Sequence, residues 1–386
     1  MNALTVLMPC LNEANTLARC ISSARLALAQ AGITHSEIII ADNGSTDDSV
    51  AIATAAGARV VHVTTKGYGA ALHAGILAAQ YEWIIFADAD ESYDFADVHQ
   101  FIPAIRSGAD LVVGNRFTGG IDAGAMPLLH RYLGTPVISW IGRQSFAVSL
   151  GDFNCGMRAI RKAAYEQLNM QSPGMEFASE MIAKAGLQRM HIAEVPVRLH
   201  KDGRDRKPHL KTWQDGWKHL RLMLLLSPKW LLLAPAIFFL ILGLLLSSTL
   251  LFSYIQVFNL VLDIHTLYYA SIFVMLGTQL LQFYVLARLY GSKMGLYPAR
   301  QFSQKINRWL DFETGLLLGG SIFLLGILLS AYAVWQWQQA GFGPLDPSAV
   351  FRIIIPAGFC IALGMQIMVF GFLLYTIRQL QQPTLK

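Results

Sequence analysis

The pattern of apolar and polar positions changes character part-way along the chain. Over residues 1–229 short apolar runs alternate with stretches of helical periodicity, and beyond them long apolar segments follow one another. In the first part Leu4–Met8, Glu37–Ala41, Arg59–Val63, Trp83–Ala87 and Asp110–Val113 read as strands, with helices expected over Ala14–Ala31, Asp48–Gly57 and Tyr68–Ala79. Alternating strands and helices predict a largely parallel, Rossmann-like sheet covered on both faces, with ligands at the carboxyl ends of its strands. In the second part Trp230–Tyr254, Thr266–Ala287, Thr314–Trp335 and Ile353–Ile377 each reach the roughly 20 apolar residues that cross a bilayer core. The expected architecture is an α/β domain over 1–229 followed by a helical transmembrane domain of four spans over 230–386.

Charge gives these spans a direction. The connections Ile255 to His265 and Gln336 to Ala349 carry no Lys or Arg. The middle connection holds Arg288, Lys293, Arg300, Lys305 and Arg308, and Arg378 and Lys386 follow the last span. Positive loops stay inside, so both termini and the middle loop are expected to be cytoplasmic in a multi-pass protein of the cytoplasmic membrane. Arg352 is the exception, near the outer end of the fourth span, where it is expected to snorkel. The chain opens almost at once on a strand, with no basic leader or cleavage site, so the α/β half is expected to stay in the cytoplasm.

Composition sharpens this picture. Charged residues make up 14% of the chain and apolar ones 54%, against a charged share of roughly 25% in soluble proteins. The net charge of +5 is gathered beside the apolar half, which suits lipid or phosphate and not nucleic acid. Around 209–227 Trp213, Trp217, Leu220 and Leu224 recur at helical spacing opposite Lys211, Lys218 and Arg221, the pattern of a helix lying among headgroups. Tyr297–Phe312, with Phe302, Ile306 and Trp309, is a second such stretch. Cys10, Cys20, Cys155 and Cys360 are scattered and read as inert thiols.

Polar clusters fall at the expected strand ends: Pro9-Cys10-Leu11-Asn12-Glu13, Asp42-Asn43-Gly44-Ser45-Thr46-Asp47 and Asp88-Ala89-Asp90-Glu91-Ser92. Each alone suits a turn or a helix cap, but three acidic turns on one sheet edge point to a shared ligand site. Two carboxylates two residues apart suit a hard cation such as Mg2+ or Mn2+, which completes its shell from phosphates and water. Lys66-Gly67-Tyr68-Gly69-Ala70-Ala71 lacks the third glycine of a dinucleotide fingerprint, since Leu72 stands there, and reads as a tight turn into a helix whose N-terminus faces phosphate.

Together with Gly114-Asn115-Arg116-Phe117, these motifs resemble the family 2 glycosyltransferases, most closely the dolichol- or polyprenyl-phosphate sugar synthases. The resemblance covers about 1–229 and extends to the spans. It implies a GT-A fold and an inverting transfer from a nucleotide sugar. It also implies that Pro9, Leu11, Glu13, Asp42, Asn43 and Lys66 contact the nucleotide, and that Asp88 and Asp90, with Ser92, hold ribose, diphosphate and metal. Arg116 and Arg131 match positions expected to hold an acceptor phosphate, Arg204 in the basic loop leading to the membrane is a further candidate for that task, and Asp152–Arg158 resembles a loop near the donor sugar. Asn43 replaces the second residue of the usual Asp-Asp pair, and Ser92 stands where a Gln is common.

Chemistry bears on the acceptor independently. A phosphate monoester has a second pKa of about 6 and is already a nucleophile at neutral pH, whereas a sugar hydroxyl needs a protein base. No base motif is evident, which fits a phosphate. Glu176 and Glu180 are either sugar-orienting carboxylates or ordinary polar helix positions. The expected reaction moves a hexose from a GDP-mannose- or UDP-glucose-type donor to a polyprenyl or dolichyl phosphate at the cytoplasmic face. A processive polysaccharide synthase is the alternative, although Gln304-Lys305-Ile306-Asn307-Arg308-Trp309 is one residue too long for its Gln-x-x-Arg-Trp motif. A non-catalytic lipid-binding protein is the third reading.

Overall fold

The computed structural model describes residues 3–203, 212–293 and 311–379, which form two compact units, Met1–Ser227 and Pro228–Lys386. Arg204, Lys207, His209, Lys211, the side chains of Phe302, Ile306 and Trp309 and the whole Gln304–Trp309 string lie outside the described residues.

The first unit is built on seven strands: β1 Ala3–Cys10, β2 His35–Asp42, β3 Arg59–His62, β4 Trp83–Phe86, β5 Leu111–Asn115, β6 Arg158–Arg161 and β7 Ile192–Pro196. Their spatial order is β3-β2-β1-β4-β6-β5-β7. Every pairing is parallel except those of β6 with β4 and β5. Parallel neighbours need crossover helices, and α1 Leu17–Gln30, α2 Ser49–Ala55, α3 Tyr68–Ala78 and α4 Val98–Arg106 supply them. Helix α1 buries Leu17, Cys20, Ile21, Ala24, Ala27 and Leu28, one stripe at helical spacing. Helix α3 approaches the sheet closely at Gly75, where a Cβ would stand 2.3 Å from the Leu7 side chain. The five expected strands and three expected helices are all present, and the sheet is the largely parallel one that a GT-A fold requires.

Strand β6 was not expected, and it matters for the site. Phe86 and Val113 both pair with Arg158, so the first residue of this antiparallel strand lies at the carboxyl ends of its two neighbours. The loop before it is thereby delivered to the ligand edge. The remaining helices of this unit are α5 Arg116–Gly119, α6 Thr135–Phe146, α7 Lys162–Leu168, α8 Phe177–Leu187 and α9 Thr212–Leu226. Helix α9 lies against α6 and α8. Its buried residues are His219, Met223 and Leu226, with the His219 ring sharing a 2.7 Å hydrogen bond with Ser179. The expected headgroup face is left outward: Trp217 is exposed, and Leu220 and Leu224 are half-buried. The helix therefore uses its His-Met-Leu side to dock on its own domain.

The second unit holds four helices long and apolar enough to cross a membrane, Lys229–Leu250, Ile264–Ser292, Phe312–Gln339 and Pro347–Ile377. The first is shorter than expected, because the chain turns after Leu250 into a hairpin of β8 Ile255–Val257 and β9 Leu260–Leu262. Arg352 does not rely on lipid headgroups. Its guanidinium pairs with Asp263 and donates to the carbonyls of Leu250 and Ser253, so the charge is neutralised and hydrogen-bonded by protein, which a low-dielectric setting demands. Glycines bring helix backbones together: a Cβ at Gly319 would stand 2.7 Å from the Gly364 carbonyl, and one at Gly243 2.8 Å from that of Ala270. Gln366 donates to Gln282 at 3.0 Å between the fourth and second helices.

Candidate active site

Because β1, β2, β4 and β5 run the same way, the polar turns after them share one edge. The first two are laced together. The Asn12 amide, at a φ of 59°, donates to the Ser45 hydroxyl at 2.9 Å. The Asn12 side chain accepts from the Thr46 amide at 2.7 Å, and the Glu13 amide donates to Ser49 Oγ at 2.9 Å. Pro9 closes on Ala41 in the ladder, and Glu13 and Asp42 are both buried. Asp42 accepts from the amides of Ser45 (3.0 Å) and Gly44 (3.3 Å). Burial works against its charge, but hydrogen bonds from Ser45, Gly44 and His62 outweigh it and hold the carboxyl below its ordinary value. The result is an ionised, hydrogen-bonded carboxylate at the carboxyl end of β2.

Asn43 explains its own departure from the usual aspartate. Its Nδ2 donates to the carbonyls of Thr65 (2.7 Å) and Val63 (3.3 Å), and its Oδ1 accepts from the Gly67 amide at 2.7 Å. Two carbonyls and one amide fix the orientation of the side-chain amide. Asn43 thus clamps the loop after β3, and its own carbonyl receives Lys66 Nζ at 2.8 Å. A carboxylate here would face two carbonyls with no proton to offer. Asn43→Asp is expected to cost about 2 kcal/mol through the orphaned carbonyls, lowering the apparent melting temperature in detergent by about 5 °C. A variant that melts with the wild type would show that the clamp is unimportant.

The start of α3 is less open than the glycine pattern suggests. The Ala70 amide donates to the Pro173 carbonyl at 3.0 Å, so residues 172–174 cover the end expected to face phosphate. Both glycines serve this contact. Gly67 has a φ of 134° and a Cβ there would stand 2.1 Å from Pro173 O, while one at Gly69 would meet Ser172 O at 2.5 Å. Between them Tyr68 hydrogen-bonds Asp88, and burial followed by the charge of Asp88 pushes the phenol well above its ordinary value. Sequence reading passed over Tyr68, since only the fold aims the phenol at the carboxylate.

Asp88 and Asp90 stand just beyond β4. Asp90 is buried and its Oδ1 accepts from both the Ser92 amide (3.0 Å) and the Ser92 hydroxyl (2.5 Å). Ser92 therefore acts here as a brace for Asp90. Glu91, between them, adopts a φ of 63° and forms a two-point ion pair with Arg19 at 2.5 and 2.7 Å. Thr16 Oγ1 donates to the Ala89 carbonyl at 2.6 Å, and the Gly203 amide to that of Asp90 at 2.9 Å. On the far side a Cβ at Gly156 would stand 3.1 Å from Asp88 Oδ2, and the Gly156 amide donates to Tyr93 Oη at 2.8 Å. The turn is thus tied down by Ser92 and Gly203 at Asp90 and by Thr16 at Ala89. Among the described residues no cluster of three or more His, Cys, Asp or Glu side chains forms a self-sufficient metal cage.

Arg116 opens the turn after β5 and is buried against Asp152, with Nε to Oδ2 at 2.6 Å and Nη2 to Oδ1 at 2.8 Å. Burial opposes its charge, yet Tyr93 and Asp152 outweigh it and raise the guanidinium well above its ordinary value. Asp152 is itself oriented, since its amide and that of Gly151 donate to Glu194. The pKa of His130 is lowered by burial and then by the Arg116 charge. Next to His130, Arg131 lies over the Tyr132 ring at 5.6 Å, and among the described residues no carboxylate pairs with it. Arg158 is a structural post: it is buried and donates to the carbonyls of Ala178 (2.6 Å), Cys155 (2.8 Å) and Phe153 (2.9 Å). Glu180 is likewise committed, pairing with Lys184 at 2.6 Å and accepting from the Gln171 and Ser172 amides. Glu176 differs, because its Oε2 is enclosed without a hydrogen-bond partner among the described residues.

Oxygen donors therefore line one sheet edge, with Arg116 and the loop before β6 beside them, an arrangement that suits a phosphorylated ligand. Over residues 5–168 the chain matches the family described as glycosyl transferase family 2, and over 285–378 the family 2 C-terminal transmembrane region. It is 33% identical over 373 residues to the low-salt glycan biosynthesis hexosyltransferase Agl6 of Haloferax volcanii, covering 95% of this chain and 87% of that one. A dolichyl-phosphate hexose transferase of the same organism is 30% identical, over 42% of this chain and 68% of its own. The polyprenol monophosphomannose synthase of Mycolicibacterium smegmatis is 27% identical, over 50% and 75%. With a relative that matches nearly from end to end and a family assignment on each part, this chain belongs to the family 2 glycosyltransferases and carries their membrane region.

Proposed function

We propose that this glycosyltransferase moves a hexose from a GDP-mannose- or UDP-glucose-type donor to a polyprenyl or dolichyl phosphate at the cytoplasmic face of the membrane. The observation that carries the reading is the state of the charges around the edge. Asp152 is neutralised by Arg116 and Glu180 by Lys184, so neither is a free base, while Arg131 has no carboxylate partner among the described residues. A phosphate acceptor needs a cation and no base. The relatives named for dolichyl-phosphate and polyprenol-phosphate transfer support the same choice.

In this reading Pro9, Leu11, Glu13 and Asp42 surround the nucleotide, Asn43 holds the loop that presents Lys66, and Asp88 and Asp90 take ribose and metal. The two carboxylates suit Mg2+ or Mn2+, since they are oxygen donors with no third acidic or imidazole side chain grouped with them among the described residues, and such ions complete their shell from phosphates and water. A bound ion would neutralise charge on the departing diphosphate. The acceptor phosphate oxygen attacks the anomeric carbon, the bond to the nucleoside diphosphate breaks, and the configuration inverts. Arg131, with Arg116 held by Asp152, screens the two anions from each other. Arg204 is assigned the same task from its sequence position. Glu176 is left to hold donor hydroxyls.

The test is a product assay. Purified protein with labelled nucleotide sugars, polyprenyl phosphate and Mg2+ or Mn2+ is expected to give a mild-acid-labile lipid-linked monosaccharide, and chelation is expected to stop turnover. A polymer would support the processive alternative, and no turnover with any donor the non-catalytic one.

A further inference from the structure

Each carboxylate of the Asp88–Asp90 turn has a hydroxyl brace. Asp90 takes its own from Ser92, close by in the chain. Asp88 takes its own from a different element, since the phenol of Tyr68 donates to it. Tyr68 is the first residue of α3, and the backbone on either side of it is pinned. The Gly67 amide donates to Asn43 Oδ1 at 2.7 Å, and the Ala70 amide to the Pro173 carbonyl at 3.0 Å. The segment that carries Pro173 is fixed in turn. Glu180 accepts from the Gln171 and Ser172 amides at 3.0 and 2.8 Å, and Lys184, buried against Glu180, donates to the Asn169 carbonyl at 2.5 Å. A second neighbour of Asp88 is Gly156, where a Cβ would stand 3.1 Å from both Oδ2 and the Tyr93 ring. Gly156 is held there, because Tyr93 Oη accepts its amide and Arg158 holds the adjoining Cys155 carbonyl, each at 2.8 Å.

We propose that Tyr68 is the positioning residue of Asp88: its hydroxyl fixes the carboxylate in the orientation that takes a divalent cation with its nucleotide, and residues 169–173 are the buttress that keeps Tyr68 in place. This rests on the reading of the Asp88–Asp90 turn as the metal and ribose site. The chemistry of the brace is what points to a ligand. Carboxylates that serve the frame are neutralised by cations, Glu91 by Arg19, Asp152 by Arg116 and Glu180 by Lys184. A phenol does otherwise. It occupies one lone pair of the carboxylate and fixes its rotation, but it brings no positive charge and leaves further lone pairs for a ligand. A cation-binding carboxylate needs both the fixed orientation and the undiminished charge. Loss of such an outer partner typically weakens metal binding ten- to a hundredfold.

Full-length Tyr68→Phe, which removes the hydroxyl alone, tests this in detergent. The protein is titrated with Mn2+ in the presence of UDP or GDP, and free Mn2+ is read from its paramagnetic resonance signal, so no turnover is needed. Tyr68→Phe is expected to weaken Mn2+ retention about tenfold while melting with the wild type. In an Asp88→Asn background the same change is expected to weaken it no further, since the hydroxyl acts through the carboxylate. Wild-type Mn2+ retention in Tyr68→Phe, with Asp88→Asn weakened, would overturn the proposal and leave the reading of the turn standing. Retention unchanged in Asp88→Asn as well would overturn that reading and the proposal with it. Equal weakening by Tyr68→Phe with and without the Asp88 carboxylate would mark a merely structural hydroxyl, and would also overturn it.

Discussion

Asp90→Asn is expected to lower turnover by about a thousandfold while leaving the fold intact, the scale reported for loss of a group that stabilises developing charge. Asparagine keeps the shape of the side chain and an oxygen for the Ser92 amide and hydroxyl, which hold Oδ1 at 3.0 and 2.5 Å. What disappears is the charge that a divalent ion requires. Ser92→Ala removes one hydrogen bond worth about 1 kcal/mol, so its loss should stay within about tenfold. The measurement is kcat at saturating donor and metal, with apparent melting temperature as the control. Wild-type turnover in Asp90→Asn would refute the assignment of the Asp88–Asp90 turn.

Asp152→Ala is expected to be the most destabilising change at the site. It leaves the Arg116 guanidinium buried without its two-point partner, which costs about 4 kcal/mol out of a stability of roughly 5–15 kcal/mol. The apparent melting temperature should fall by about 10 °C, or the protein should fail to accumulate. Replacing both partners with apolar residues, Arg116→Met with Asp152→Leu, removes the orphaned charge and should recover most of the stability. If Arg116 also serves the acceptor, that double variant folds but stays slow. Recovery of both stability and turnover would confine Arg116 to a structural role.

Much of this was legible in the sequence, for physical reasons. Strands β1, β2 and β4 are buried on both sides, so continuous apolar runs marked them, and the polar residues ending those runs had to lie on one edge. The spans announced themselves by length. Strand β6 did not, because its four residues begin and end in arginine (Arg158 and Arg161) and show neither alternation nor an apolar run. Long-range pairings were equally silent. Arg116 and Asp152 are 36 residues apart, and nothing local says that one neutralises the other. The same holds for Arg352 and Asp263, joined across 89 residues. The roles of Asn43 and Tyr68 depend on which groups the fold brings within reach.

The central claim, that a lipid phosphate is the acceptor, is tested most directly by giving the purified protein a nucleotide hexose with either polyprenyl phosphate or the matching polyprenol. In this reading no protein base assists the acceptor, so only the phosphate should accept, giving a product whose mass is the lipid phosphate plus one hexose. Equal transfer to the alcohol would contradict it.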